Sequence, residues 1–386
     1  MLGRLPVDTL RLSRTPRDGA GPGGGLFSSI WNRVKLVWVS FEVKMGWLPE
    51  TSVNGTLPAP IPQDGFRTVL AIAPKPGNTD LQDAALAQYD EATHQKAEKS
   101  VLGGLSASER AAVASVQGCI AKDPQALAAF QEVITRDHLN GGTAADGTSL
   151  LHNLQLLATE PLAPGVDRAA LLGAFIRQVD NPMDTYQGER NTCVPAVASM
   201  LMAQRYPAEE ARLLVGLASP QGTAQLANGA TLTRSPDWQA SDGGRSQSEE
   251  LLEPAFISYA VSDEGLTYDN KTDQLSDGGS GLSADEANTL YEGLTDANYK
   301  EVDFYGSRDP KAINQTLARI AKDASADDPV PVGVNWVGNV GHKLLVENIG
   351  NGVVTYLNPY GMREQMSLAD FSARLQNANL PTDTNA

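Results

Sequence analysis

The sequence predicts an α+β fold, in which a small all-α region precedes a mixed region built around an antiparallel sheet. Three observations carry this. From about Thr79 to Val179 apolar residues recur at helical spacing, with helix-start signals ahead of each run. After Asn181–Pro182 helices and apolar runs alternate. Near the end come three β-rich runs, "PVPVGVNWV", "HKLLVENI" and "VVTYLNP". Asn351–Gly352 supplies a tight antiparallel turn between the last two.

Residues 1–75 read as a flexible leader and linker. "TPRDGAGPGGG" is flexible, "LPAPIPQDG" is stiffened by proline, and an amphipathic piece lies between them at Leu26 to Trp47. Residues 76–180 read as a helical domain of four or five short helices. Thr79–Asp80 opens a run bearing Leu81, Ala85, Leu86 and Tyr89. Ser106 with Glu109 forms a capping box. Asp123–Pro124 is an N-cap followed by proline, ahead of Leu127, Phe130 and Ile134. Thr148 opens "SLLHNLQLL", and Asp167 caps a helix with Leu171, Phe175 and Val179 in its stripe. Residues 181–375 form the mixed region, with helices expected at 194–205, 208–218 and near 246–260, and from Ser283 and Asp309 onward. The glycine- and aspartate-rich stretch 262–282 is expected to be a long surface loop, and 376–386 a frayed, disordered tail.

The chain has 386 residues and a net charge of −16. Residues 1–45 hold seven Lys/Arg against three Asp/Glu, which leaves about −20 on the rest. That balance opposes nucleic acid and anionic membrane as partners, because phosphate binding needs a basic face. No apolar run reaches bilayer length, so no membrane insertion is expected. The early arginines precede no apolar core of a Sec-type signal. The expectation is a cytoplasmic protein, or one secreted without such a signal as an effector. No Cys/His spacing suits a structural zinc site, and 262–282 lacks the acidic spacing of a calcium loop, so neither metal nor cofactor is expected.

Of two cysteines, Cys119 sits among small and apolar residues and reads as a buried thiol. Cys193, in "YQGERNTCVPAVASML", stands where a helix should start, with Asn191 or Thr192 as N-cap. A nucleophilic cysteine needs a field that favours the thiolate, usually a helix N-terminus and an imidazole. Of four histidines, His94 lies on a polar helix face, His138 follows a helix end and His152 sits in the helical region. His342 begins a strand. Asn358 ends the next strand, sixteen residues on, and the Asn351–Gly352 hairpin brings it to the same end of the sheet. Its side-chain carbonyl can accept the ring N–H and fix the tautomer. Acyl transfer also needs donors for an oxyanion, and Gln187, six residues before Cys193, can supply one beside the cysteine's own N–H.

In order and context, Gln187, Cys193, His342 and Asn358 resemble the papain-like cysteine peptidases. Within that superfamily they are most similar to the bacteriocin-processing, double-glycine leader peptidase group. That group shows a Gln six residues before the Cys, an Ala-containing helix, and a glycine–histidine leading into a hairpin that ends in Asp–Pro. Here the last part reads "GHKLLVENIGNGVVTYLNPYG". Thr192 stands where that group has Asp, Val194 where it has Gly, and Asn358 where it has Asp. The resemblance spans about 181–375. It implies a papain-like fold, with the cysteine-bearing helix packed on an antiparallel sheet.

The implied activity is a cysteine peptidase acting on a protein or peptide. Cys193 attacks, His342 is base and then acid, Asn358 orients His342, and Gln187 helps hold the oxyanion. The same site also suits amide or acyl transfer (transglutaminase-like or deamidating), and a fold that kept the site without its chemistry would be a binding module. The helical region fits a cover over the cleft, a substrate-recognition module, or a docking site for a secretion chaperone or an inhibitor.

Overall fold

The computed structural model describes residues 91–382, apart from 137, 140–141, 241–243, 307 and 337–339. The leader and linker expected at 1–75, with the amphipathic piece inside it, and the run opening at Thr79 lie outside the described residues.

The helices form where side chains can close their first turn. Helix α1 spans Glu91–Gly104, α2 Ala107–Cys119, α3 Pro124–Thr135, α4 Leu150–Thr159 and α5 Arg168–Asp180. Ser106 and Glu109 cap α2 reciprocally, and Asp123 accepts the N–H of Gln125 and Ala126, both at 3.0 Å, at the start of α3. Asp167 does the same for α5. Helices α6 (Cys193–Arg205) and α7 (Pro207–Ala218) follow, then a small hairpin of β1 (Thr223–Gln225) and β2 (Thr231–Thr233). Next come α8 (Gln247–Ala260) and α9 (Ala284–Thr295). Ser246–Glu249 and Ser283–Glu286 are further capping boxes, at the starts of α8 and α9. The stretch expected as one surface loop holds a short hairpin, β3 (Tyr268–Asp269) against β4 (Gln274–Leu275).

The main sheet is antiparallel. Its strands are β5 (Tyr299–Asp303), β6 (Val330–Asn335), β7 (Gly341–Gly350), β8 (Val353–Asn358), β9 (Met362–Ser367) and β10 (Leu375–Pro381), in the order β5-β10-β6-β7-β8-β9. Helix α10 (Pro310–Asp323) and α11 (Leu368–Arg374) complete the described chain. The segment expected as a disordered tail is corrected here, because residues 375–381 form β10 between β5 and β6. Its Asn377 and Asn379 gave "LQNANLP" a frayed look, yet both bind a buried amine described below.

The sheet separates two cores. On one face Val332, Leu344, Val346 and Tyr356 pack with Ile313, Leu317 and Phe371 of α10 and α11. On the other, Leu345 and Leu357 join a core that runs through α6, α8 and α9 into α2–α5. Phe175 of α5 and Met200 of α6 both belong to it, so the boundary expected near 180 lies inside a shared core. Successive strand residues point to opposite faces, which is why Leu344 and Leu345 serve different cores. Among the described residues no helix is long and apolar enough to cross a membrane.

Candidate active site

A cleft of about 960 Å³ opens at the N-terminus of α6, and Gln187, Cys193, Lys343, His342 and Tyr360 are among the residues that line it. Three of the residues singled out in the sequence, Gln187, Cys193 and His342, line it from separate elements, and Asn358 lies fully buried against His342. Cys193 is the first residue of α6. Thr192 precedes it, but its hydroxyl donates to Gln187 O at 3.2 Å and reaches the Glu253 carboxyl, so it does not cap the helix. The N–H groups of Cys193 and Val194 are left to the sulfur, which also receives the N–H of Lys343. Even so, burial outweighs these donors and pushes the thiol up. The resting sulfur is protonated at neutral pH, against the lowered thiol that a helix start alone would give.

His342 is 4% exposed. Its ring lies between Trp336, 5.1 Å between centroids, and Tyr360, stacked at 5.3 Å and 15°. Nε2 sits 3.0 Å from Asn358 Oδ1. Asn358 Nδ2 donates to Glu364 Oε2 at 3.2 Å, which turns its carbonyl oxygen toward the ring. Nε2 therefore carries the proton, and Nδ1 is the nitrogen left to accept one. Burial holds the imidazole down to about 4, with the Asn358 hydrogen bond opposing. At neutral pH it is uncharged.

The His342–Asn358 contact depends on a bulge. The two-residue turn has φ of 52° at Asn351 and 77° at Gly352, the left-handed pair that a type I′ hairpin requires. Near the turn Gly350 faces Val353 and Asn348 faces Thr355. Continued without interruption, that register would set Asn358 opposite Leu345, on the face away from His342. Instead Val346 faces Tyr356, so Glu347 is an extra residue and the pairing slips by one. Asn358 then falls opposite Leu344, on the same face as His342. Glu347 is held at the bulge by Arg363 Nε, 2.7 Å from its carboxylate.

Gln187 is tied to the far end of the same hairpin. Its N–H donates to Pro359 O at 2.9 Å, and Tyr186 bridges to Tyr360. The Glu249 carboxylate accepts the N–H of Tyr186. The Gln187 side chain is buried, and Nε2 donates to Arg190 O at 2.8 Å and meets Tyr360 Oη at 3.3 Å. Burial, then the neighbouring Cys193, raises the Tyr360 phenol. The Gln187 amide thus reaches the sulfur's surroundings through Tyr360. Cys119 lies apart, in α2; it and Cys193 are free thiols. No group of three or more His, Cys, Asp or Glu among the described residues is placed to hold a metal ion.

Sequence reasoning missed Trp336, Tyr360, Lys343 and Glu364. Lys343 left one signal, a lysine one residue into an otherwise apolar run. Glu364 is 1% exposed and burial raises it to about 8, while Asn358 and Tyr356 oppose through hydrogen bonds. The folded protein therefore holds a proton there that the unfolded chain, near 4.5, has lost. Stability is unpenalised below about 4.5 and falls as pH rises toward 8. Glu364→Gln keeps an acceptor for Asn358 and removes that penalty. Its melting temperature is expected to match the parent at pH 4.5 and exceed it increasingly up to pH 8, in parallel thermal melts.

No protein-family model matches this chain, and no curated protein matches it either.

Proposed function

We propose that the chain is a papain-like thiol hydrolase, a cysteine peptidase that acts on a protein or peptide. The single observation carrying this is the bulge-dependent hydrogen bond between His342 and Asn358, in the cleft that also holds Cys193. A helix bearing the cysteine at its start, packed on an antiparallel sheet whose hairpin carries the histidine and asparagine, is the arrangement expected of that fold. Cys193 attacks the scissile carbonyl as its proton passes to Nδ1 of His342. Asn358 keeps the accepting tautomer, and His342 then protonates the leaving amine. The N–H groups at the start of α6 and the Gln187–Tyr360 pair are donors on the side where the oxyanion develops.

The cleft suits a peptide. Tyr305 and Val340, the exposed large apolar side chains among the described residues, both line it. Asp285, Glu301 and Asp303 give one wall a negative field that favours a basic substrate side chain. Hydrolysis of a mixed peptide library, read by mass spectrometry, tests the proposal: cleavage by the parent and none by Cys193→Ala is expected. Absence of cleavage by both would count against it.

A second reading, a binding module that retains the site without its chemistry, draws on the raised thiol and neutral imidazole. The pH profile separates the two. A hydrolase using His342 as base should keep its kcat/KM as pH falls past 6.5 and lose it only through about 4, where the imidazole gains its proton. An acid limb near 6.5 would contradict the buried, neutral histidine.

A further inference from the structure

Lys343 is buried beside the nucleophile and has no part in the mechanism above. It follows His342 on β7, so its side chain leaves the opposite face of the strand, toward α6 and α9. Its Nζ donates to Asn377 Oδ1 at 2.9 Å and to Asn379 Oδ1. Those oxygens are aimed at it. Asn379 Nδ2 donates to Ala284 O at 3.0 Å and Asn288 Oδ1 at 2.8 Å, and Asn288 Nδ2 to Tyr299 O at 3.0 Å. With its amide nitrogen so occupied, the Asn379 carbonyl must face the lysine. Gly333 leaves the room required, since a Cβ there would lie 2.4 Å from the Asn377 amide. Burial of an amine this deep is costly unless its donors are met, and here carbonyl dipoles meet them.

A second observation comes from another element. Tyr291 of α9 is fully buried, and its hydroxyl has no hydrogen-bond partner. The Lys343 ammonium lies 5.9 Å from its ring centroid. Its phenol feels the charge of Cys193, as Lys343 does. A thiolate at Cys193 would place a negative charge near this unsatisfied donor.

We propose that Lys343, backed by the Tyr291 hydroxyl, is the charge partner that stabilises the Cys193 thiolate, in place of an imidazolium. The proposal rests on reading Cys193 as the nucleophile. Cys193 loses its proton to solvent in the free cleft, or to His342 during attack, and no bond of Lys343 changes. Facing Lys343 are Cys193 from α6, Tyr291 from α9, Glu301 from β5 and the two amides of β10. Burial holds Lys343 down to about 7, while Cys193 and Glu301 push it up. Thiolate and ammonium therefore favour one another, and the two groups titrate as a pair.

The test is the rate of iodoacetamide alkylation of Cys193 from pH 5 to 10.5, with Cys119→Ser in every protein. Lys343→Gln removes the charge and keeps an N–H for the asparagine carbonyls. It should raise the midpoint by a unit or more and slow alkylation at least tenfold at pH 6.5, where Lys343 is mostly charged. Tyr291→Phe should raise the midpoint by less, and His342→Ala should leave it in place. An unmoved midpoint in folded Lys343→Gln overturns the proposal, as does a shift in His342→Ala as large as the lysine variant's. Should Lys343→Gln fail to fold by circular dichroism, an unmoved midpoint in Tyr291→Phe overturns it equally. The assay uses no substrate, so the charge pair can stand or fall separately from peptidase activity, which the peptide library reads.

Discussion

Cys193→Ala and His342→Ala are each expected to lower turnover by about five to six orders of magnitude, and the double variant by no more than either alone. In the mechanism proposed above the two side chains perform one proton-coupled step. The resting site holds a protonated thiol and a neutral imidazole, because burial raises the first and lowers the second. Attack at carbonyl carbon and proton transfer to Nδ1 are therefore coupled, and loss of either partner removes both. What survives is the residual catalysis of the donors at the start of α6. Single-turnover rates of the three variants on one cleaved peptide check this. Additive losses would mean that His342 acts at a separate step. Asn358→Ala should cost less, since it frees the ring to adopt the wrong tautomer without removing it.

The second large effect falls on stability. Arg245 and Glu253 lie 3.2 Å apart with both side chains at 0% exposure. Arg245 also donates to Asn270 Oδ1 at 2.9 Å, and Glu253 reaches the Thr192 hydroxyl beneath the site. Burial lifts Glu253 to about 8 even with the guanidinium beside it. Arg245→Met removes the opposing charge and leaves the carboxyl in place. The expected cost is about 3–5 kcal/mol where the carboxylate is ionised. Below about 8 both proteins keep the Glu253 proton, so the deficit should hold steady there and widen only above 8, where the parent's carboxyl ionises and the variant's, raised further, does not. Arg245→Met with Glu253→Leu should recover most of the loss, because the apolar pair has no desolvation to meet. Denaturant midpoints at pH 5 and pH 9 decide it, and equal deficits at both would show that the ion pair is not the cause.

Much of this fold was legible because local chemistry writes helix starts and tight turns into the chain. Ser106 with Glu109, Asp123 with Pro124, and Ser283 with Glu286 all cap the helices they announce. Asn351 and Gly352 form the turn their φ preferences favour. The features that escaped are those that only tertiary structure decides. Strand β10 carries asparagines because a buried amine needs them, so its composition imitates a loop. Strand β9, "MREQMS", looks polar because it lies at the sheet edge.

The site shows the same division. Hairpin length puts His342 and Asn358 at one end of the sheet, but the face on which Asn358 falls is set by the extra residue at Glu347. A charged residue inside an alternating run gives no sign that the register slips there. Gln187 was identifiable by its spacing from Cys193, whereas its contact with Tyr360 depends on the loop being pinned to Pro359 and Glu249.

The most direct test of the central claim, that Cys193 with His342 and Asn358 performs acyl chemistry, is covalent capture. Protein carrying Cys119→Ser would be incubated at pH 7 with a pooled peptidyl acyloxymethyl ketone library, and the adduct located by peptide mapping. The expected result is a single adduct on Cys193 that falls at least a hundredfold in His342→Ala. Uptake of iodoacetamide at Cys193 with no acyloxymethyl ketone adduct in the parent would contradict it.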